Sequence, residues 1–193
     1  MNLDSNSWND RYLGNNTGWD VGYITTPLKD YFDQLVDKNI SILIPGCGNS
    51  YEAEYLFNLG FRNVYVLDFS KKALENFRSR TNNFPEENIL CVDFFSADGN
   101  YDLIVEQTFF CAIAVERRFE YARKAHSLLN KNGRLVGVFF NAPMYKDHPP
   151  YGGSKEEYIK YFLSSFELNI FEPSYNSIPS RKGKELFVKL IKK

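Results

Sequence analysis

The stretch Ile44-Pro45-Gly46-Cys47-Gly48-Asn49-Ser50 joins an apolar run to a helix-like segment. Two glycines one residue apart at such a junction let a ligand come close to the backbone. A dinucleotide loop needs a third glycine three positions on, so that helix and strand pack closely; Tyr51 stands there. A Walker-type phosphate loop needs Gly-Lys-Ser/Thr, and the chain contains no such tripeptide. What remains is a two-glycine turn followed, 22 positions after Gly46, by Asp68 at the end of a second apolar run. A carboxylate at that place can accept hydrogen bonds from both hydroxyls of a ribose. Asp93 closes a third run, where it can receive the exocyclic amine of an adenine. Taken singly, glycine turns are common and strand-end aspartates often cap the next helix. Together, at three successive strand ends, they describe a site for an adenosine whose 5′ substituent is not a phosphate. S-adenosylmethionine is the leading candidate.

The elements that must position these residues alternate short β-rich runs with amphipathic stretches, which predicts an α/β protein with a mostly parallel sheet. A first helix is expected from Thr26 as N-cap and Pro27 at its first position, burying Leu28, Phe32 and Leu35. Strands are expected at 41–44, 64–67, 89–92, 103–105 and 135–140, with two more around 168–170 and 186–190 as an antiparallel closing pair. Between them, 50–59 stops at Gly60 as a helix, Ser70 caps another with Leu74 and Phe77 inward, and Val115, Phe119, Ala122 and Leu129 recur at helical spacing. The turn Asn130-Lys131-Asn132-Gly133 is expected to release the fifth strand, and Ser154-Lys155-Glu156-Glu157 has the form of a capping box ahead of Tyr158, Tyr161 and Phe162. Such sheets bind ligands at the carboxyl ends of their strands, where strand order reverses.

The 193 residues fit one domain, 1–193, and 44% hydrophobic residues are enough for a core. A net charge of −1 offers no field to attract nucleic acid or an anionic membrane, so the expected partner is a small molecule. No apolar run reaches the length of a membrane span, and Met1 to Asn6 is polar rather than signal-like, which predicts a soluble, cytoplasmic protein. Cys47, Cys91 and Cys111 lack metal or redox spacing and read as reduced thiols; no metal site is expected.

Both tryptophans fall within the first nineteen residues. Trp8, Tyr12 and Trp19 resemble no core element, and although terminal aromatics usually just pack, ring faces also attract a sulfonium cation by roughly 0.5–2 kcal/mol each. Residues 1–25 are therefore expected to form an aromatic lid that keeps water from the reacting centre. The segments "WNDRYLGNNTGWDVG", "ILIPGCGNSYEA", "NVYVLDFSKKAL", "DLIVEQTFFCAIAVERR" and "SIPSRKGKE" together resemble the thiopurine S-methyltransferase superfamily, and within it the halide/thiol (thiocyanate) methyltransferases. The resemblance implies a class I, Rossmann-like methyltransferase fold: a seven-stranded sheet with an antiparallel closing strand and helices on both faces. It also implies S-adenosylmethionine as cofactor, with Trp8, Tyr12, Trp19, Gly46, Asp68, Asp93, Phe94 and Gln107 lining its site. Tyr12 stands where relatives have tryptophan, Glu106-Gln107 where they tend to have Asp-Tyr, and Phe140 near an expected tyrosine.

Methyl transfer from a sulfonium is an in-line displacement in which alignment and exclusion of water are the protein's main tasks. A halide or hydrosulfide ion needs no base, whereas a neutral thiol must lose its proton. His126 sits inside a helix and His148 in a loop, and neither makes a convincing base. Phe109, Phe110, Phe140 and Tyr151 are the candidates for an apolar acceptor pocket, with core packing as the alternative. Arg181-Lys182-Gly183-Lys184 can attract an anion or form a solvated turn. The function expected is methyl transfer to a small soft nucleophile, with a thiopurine methyltransferase or a non-catalytic cofactor-binding protein as alternatives.

Overall fold

The structure is a computed structural model that describes residues 4–193; the first three residues of the polar start lie outside the described residues. The apolar runs pair into one sheet: β1 (Ile42–Pro45), β2 (Val64–Asp68), β3 (Ile89–Cys91), β4 (Tyr101–Gln107), β5 (Leu129–Phe140), β6 (Phe166–Pro173) and β7 (Glu185–Lys192). The order is β3-β2-β1-β4-β5-β7-β6. β1 to β5 run parallel, and β7 lies antiparallel to both β5 and β6. From β1 the chain steps outward through β2 and β3, then returns to place β4 on the other side of β1. That reversal is the switch point at which such sheets open a cleft.

Strand alternation divides the core between two faces. Ile42, Ile44, Val66, Leu103, Val105, Val136 and Val138 point to one face. There they meet Leu28 and Phe32 of α2 (Thr26–Phe32), Ala53 and Leu56 of α3 (Tyr51–Asn58), and Leu74 and Phe77 of α4 (Lys71–Arg80). Leu43, Leu67, Ile104, Leu135 and Phe139 point the other way, against Tyr121 and Ala125 of α5 (Arg118–Leu128) and Tyr158 and Phe162 of α6 (Lys155–Phe162). Helices therefore cover both faces, as expected. A further helix, α1 (Ser5–Leu13), precedes this unit and packs on α4.

Several boundaries differ from the expectation for local reasons. Thr25 rather than Thr26 is the N-cap of α2, and its hydroxyl donates to the Gln107 side-chain oxygen at 3.0 Å instead of capping. α2 ends at Phe32, so Leu35 packs only partly, from outside the helix. Residues 130–133 do not form a separate turn: β5 begins at Leu129, and the pairs Tyr101↔Leu129 and Leu103↔Arg134 leave extra residues on β5, a bulge with Asn132 at φ 63. Val115 and Phe119 are exposed, because 115–117 is a 3₁₀ turn and the α-helical phase starts at Arg118. The inward residue is Arg118 itself, fully buried. Ser154 caps α6 through the Glu157 amide at 3.3 Å, but the Glu157 carboxylate bonds Arg118 at 3.0 Å rather than returning to the cap.

Candidate functional site

A cavity of about 620 Å³ opens at the carboxyl ends of β1 to β4, within the range of small-molecule sites. The glycine turn forms its floor: Gly46 and Gly48 sit at φ 55 and φ 54, in the left-handed region that favours glycine. Side chains there would also collide, because a Cβ on Gly46 would enter the Phe109 ring and one on Gly48 would meet the Tyr12 hydroxyl. Ser50 is left-handed too, and α3 starts directly after it with Glu52 and Glu54 in its first turn. Glu52 of that first turn lines the cavity, where its carboxyl disfavours a phosphate.

Asp68 ends β2, is buried, and accepts from the Gly48 amide at 3.0 Å and the Ser70 amide at 2.8 Å. Burial raises its pKa to about 6, with the backbone hydrogen bonds pulling in the opposite direction. Each oxygen keeps a lone pair beyond its amide bond. Asp93 follows β3, lines the cavity, and caps the turn 94–96 by accepting from the Phe95 amide at 3.1 Å. Phe94 stands beside it, buried and edge-on to Phe109 at 5.4 Å between ring centres.

The amino-terminal aromatics form the roof. Trp19 meets Trp8 and Tyr12 edge-on, at 5.3 and 6.0 Å between ring centres. Arg11 lies over both indoles. Asn9 ties this segment to the start of α4, its side-chain oxygen accepting from the Ser70 hydroxyl at 2.8 Å and the Lys72 amide at 3.1 Å. On the far side Arg181, in the β6–β7 connection, donates to the Trp19 carbonyl at 2.6 Å. Asn49 of the floor donates to Asp20, which closes the ring of contacts between roof and floor.

Gln107 at the end of β4, Thr25 bonded to it, and Phe109 and Ile113 after the strand line the cavity, as do Glu52 of α3 and Arg181 of the β6–β7 connection. Glu52 was missed by sequence reasoning. It is buried, and burial raises its carboxyl to about 7. Of the expected acceptor-pocket residues, Phe109 lines this cavity and three others do not. Phe110 stacks on Phe139 at 4.5 Å, inside the core beneath α6. Phe140 turns away from Phe139 to lie beside the Arg181 guanidinium. Tyr151 is fixed to the segment after β4 and to α5, its amide donating to the Cys111 carbonyl at 2.7 Å and its carbonyl accepting from Arg118 at 3.1 Å.

His126 packs edge-on to Phe166, and His148 lies against Tyr145; neither lines the cavity. Cys47 is buried at the floor and its thiol is pushed well above the ordinary value by burial, and then by Asp68. Glu106, one residue before Gln107, points away from the cavity into the core, where burial raises it to about 8. Among the described residues no group of three His, Cys, Asp or Glu side chains could hold a metal ion.

Buried polar atoms of three cavity residues lack a hydrogen-bond partner in the protein: Asn49 Oδ1, Ser50 Oγ and Gln107 Nε2. With Asp68 and Asp93 they supply acceptors and donors for a nucleoside and an amino-acid tail, and no cation-rich cradle for a diphosphate. The residues therefore fit S-adenosylmethionine. The strand order, the two-glycine floor and the carboxylates at the β2 and β3 ends define a class I S-adenosylmethionine-dependent methyltransferase.

The model of the thiopurine S-methyltransferase family matches residues 3–192, and the chain belongs to that family. It is 29% identical to a probable thiol methyltransferase 2 of Arabidopsis thaliana, over 94% of this chain and 82% of that protein. It is 28% identical to thiocyanate methyltransferase 1 of Brassica oleracea, over 95% and 83% of the two chains. A thiopurine S-methyltransferase of Vibrio campbellii is 25% identical, over 82% of each. Among solved structures, magnesium protoporphyrin IX methyltransferase of Synechocystis with bound S-adenosylmethionine superposes with a TM-score of 0.75, at 14% identity, over 100% of this chain and 98% of that one. A TehB-like methyltransferase of Corynebacterium glutamicum gives 0.68 at 20% identity, over 98% of both chains. At those identities the superpositions speak for the fold.

Proposed function

We propose that this methyltransferase moves the methyl group of S-adenosylmethionine to a small soft nucleophile: a thiol, thiocyanate or a halide. The observation that carries the reading is the lining after β4, where Phe109, Ala112 and Ile113 give apolar surface, in a cavity that also holds the buried guanidinium of Arg181, paired with Glu185 at 3.5 Å. A polarisable sulfur or halide loses little by leaving water for such a surface, and an anion gains from the arginine. The thiol and thiocyanate enzymes among the relatives support the same class.

In this reading Asp68 accepts from the ribose hydroxyls with its remaining lone pairs, Asp93 and Phe94 hold the adenine, and Gly46 brings the backbone close to the amino-acid tail. Gln107 offers its unpartnered Nε2 to that tail. Trp8, Tyr12 and Trp19 close over the sulfonium as the lid of residues 1–25. The bound cofactor supplies an activated methyl; the chain aligns the acceptor, excludes water and stabilises the acceptor's charge. Among the described residues no helix is long and apolar enough to cross a membrane, and the net charge is −1. Both favour a cytoplasmic enzyme with a small-molecule substrate rather than nucleic acid.

Methyl transfer from labelled S-adenosylmethionine across aliphatic thiols, iodide, thiocyanate and a thiopurine tests the proposal. Turnover of the small acceptors in preference to the thiopurine is expected. A clear preference for the thiopurine would move the enzyme to the other branch of its family, and tight cofactor binding without transfer to any acceptor would make it a binding protein.

A further inference from the structure

The thiol branch of the proposed acceptor class raises a need that the histidines do not meet. A neutral thiol must lose its proton as the new bond forms, and both histidines lie outside the cavity. Glu52 lies within it. Placed in the first turn of α3, it is only 6% exposed, yet it lines the cavity. Its own backbone amide favours the carboxylate form. The side chain thus keeps acceptor capacity facing the cavity.

Its position favours the acceptor over the cofactor's nucleoside. Asp68 and Asp93 stand at the ends of β2 and β3, on one side of β1. Glu52 is instead coupled electrostatically to Asp20 of the roof, Arg181 of the β6–β7 connection and Arg80 of α4. Glu106, Cys47 and Tyr51, which precedes it on α3, are coupled to it electrostatically as well. Asp20 disfavours its ionisation, and the two arginines favour it.

We propose that Glu52 is the general base for thiol acceptors, an inference that rests on the acceptor class proposed above. The thiol proton passes to a Glu52 oxygen and the freed electron pair on sulfur forms the new S–CH₃ bond. The methyl–sulfonium bond breaks with its pair staying on the departing sulfur, and the proton leaves Glu52 for solvent after product release. Arg80 and Arg181, the latter itself paired with Glu185 at 3.5 Å, favour the ionised form of Glu52 against the burial that raises its pKa. An acceptor that is already an anion makes no use of the step.

The test compares Glu52→Gln with the unaltered chain on an aliphatic thiol and on iodide, with the affinity for S-adenosylhomocysteine measured by calorimetry. General-base catalysis contributes about 10²- to 10⁴-fold, so thiol turnover is expected to fall at least about 100-fold more than iodide turnover. The pH dependence of kcat/KM for the thiol should also move, from the carboxyl near 7 to the thiol's own ionisation at about 8.5. Glu52→Asp should restore part of the loss. Equal losses on both acceptors, or no loss on the thiol, overturn the assignment. A matching loss of S-adenosylhomocysteine affinity also overturns it, because Glu52 would then hold the cofactor. If the unaltered chain methylates neither acceptor, the proposed function itself fails, and the base with it.

Discussion

At the β2–β3 end of the cleft the polar groups are carboxylates at strand ends, held by backbone amides within two to twenty residues: Gly48 and Ser70 on Asp68, Phe95 on Asp93. At the β4 end they come from segments far apart in the chain. Thr25 meets Gln107 across 82 positions, and Arg181 reaches the Trp19 carbonyl across 162. The first end is fixed by the sheet and its loops. The second exists only once the roof, α3 and the β6–β7 connection have met. A ligand site common to a fold can rest on the first kind of construction, while selectivity for an acceptor resides in the second, where loops vary at little cost to the sheet.

Substitutions at the two ends should separate these roles. Asp68→Ala is expected to have the largest effect, a loss of roughly 100-fold or more in S-adenosylmethionine affinity by calorimetry, from two charge-assisted hydrogen bonds. Asp68→Asn, which retains an acceptor oxygen, should fall between. Unchanged affinity in Asp68→Ala would erase the distinction between the ends. Trp19→Ala, which removes the ring joining Trp8 to Tyr12, should weaken the cofactor by about 3- to 30-fold.

A smaller, pH-linked effect belongs to the core next to the β4 end. Glu106 is held at about 8 by burial, against an ordinary 4.5. Its folded form thus retains a proton that the unfolded chain releases, so its stabilisation is complete below about 4.5 and is lost as pH rises through about 8. Asp68 and Glu52, raised to about 6 and about 7, act in the same direction at lower pH. The unfolding free energy of the cofactor-free chain should decline between pH 5 and 8 by on the order of 1 kcal/mol per pH unit per group, seen as a falling melting temperature, and Glu106→Gln should flatten the upper part of that decline. The smallest effect is expected for Cys47→Ser, with activity within about threefold of the unaltered chain, because a thiol kept protonated by burial is no nucleophile. A large loss there would require a covalent step.

The β2–β3 end was legible in the sequence because its residues close apolar runs, and a strand end fixes where a carboxylate stands. The β4 end was not, for three physical reasons. An acidic residue in the first turn of a helix ordinarily complements the helix dipole at the surface, so nothing local marks Glu52 as buried. Parity at the end of a strand decides which neighbour faces the core: Phe139 went in and Phe140 went toward Arg181, and Phe110 joined the stack on Phe139. Arg181 lies in a basic run that also reads as a solvated turn, and the packed roof together with buried Glu185, 3.5 Å away, turns it inward. Helix phase failed similarly at Val115 and Phe119, where a 3₁₀ turn shifted the register and buried Arg118 instead.

The most direct test is a calorimetric titration of the chain with S-adenosylmethionine, NAD and ATP under identical conditions. A floor of two left-handed glycines followed by Glu52 and Glu54, with Asp68 opposite, should bind S-adenosylmethionine at one site per chain and give no heat with the two phosphate-bearing nucleotides. Saturable binding of NAD or ATP, with none of S-adenosylmethionine, would contradict it.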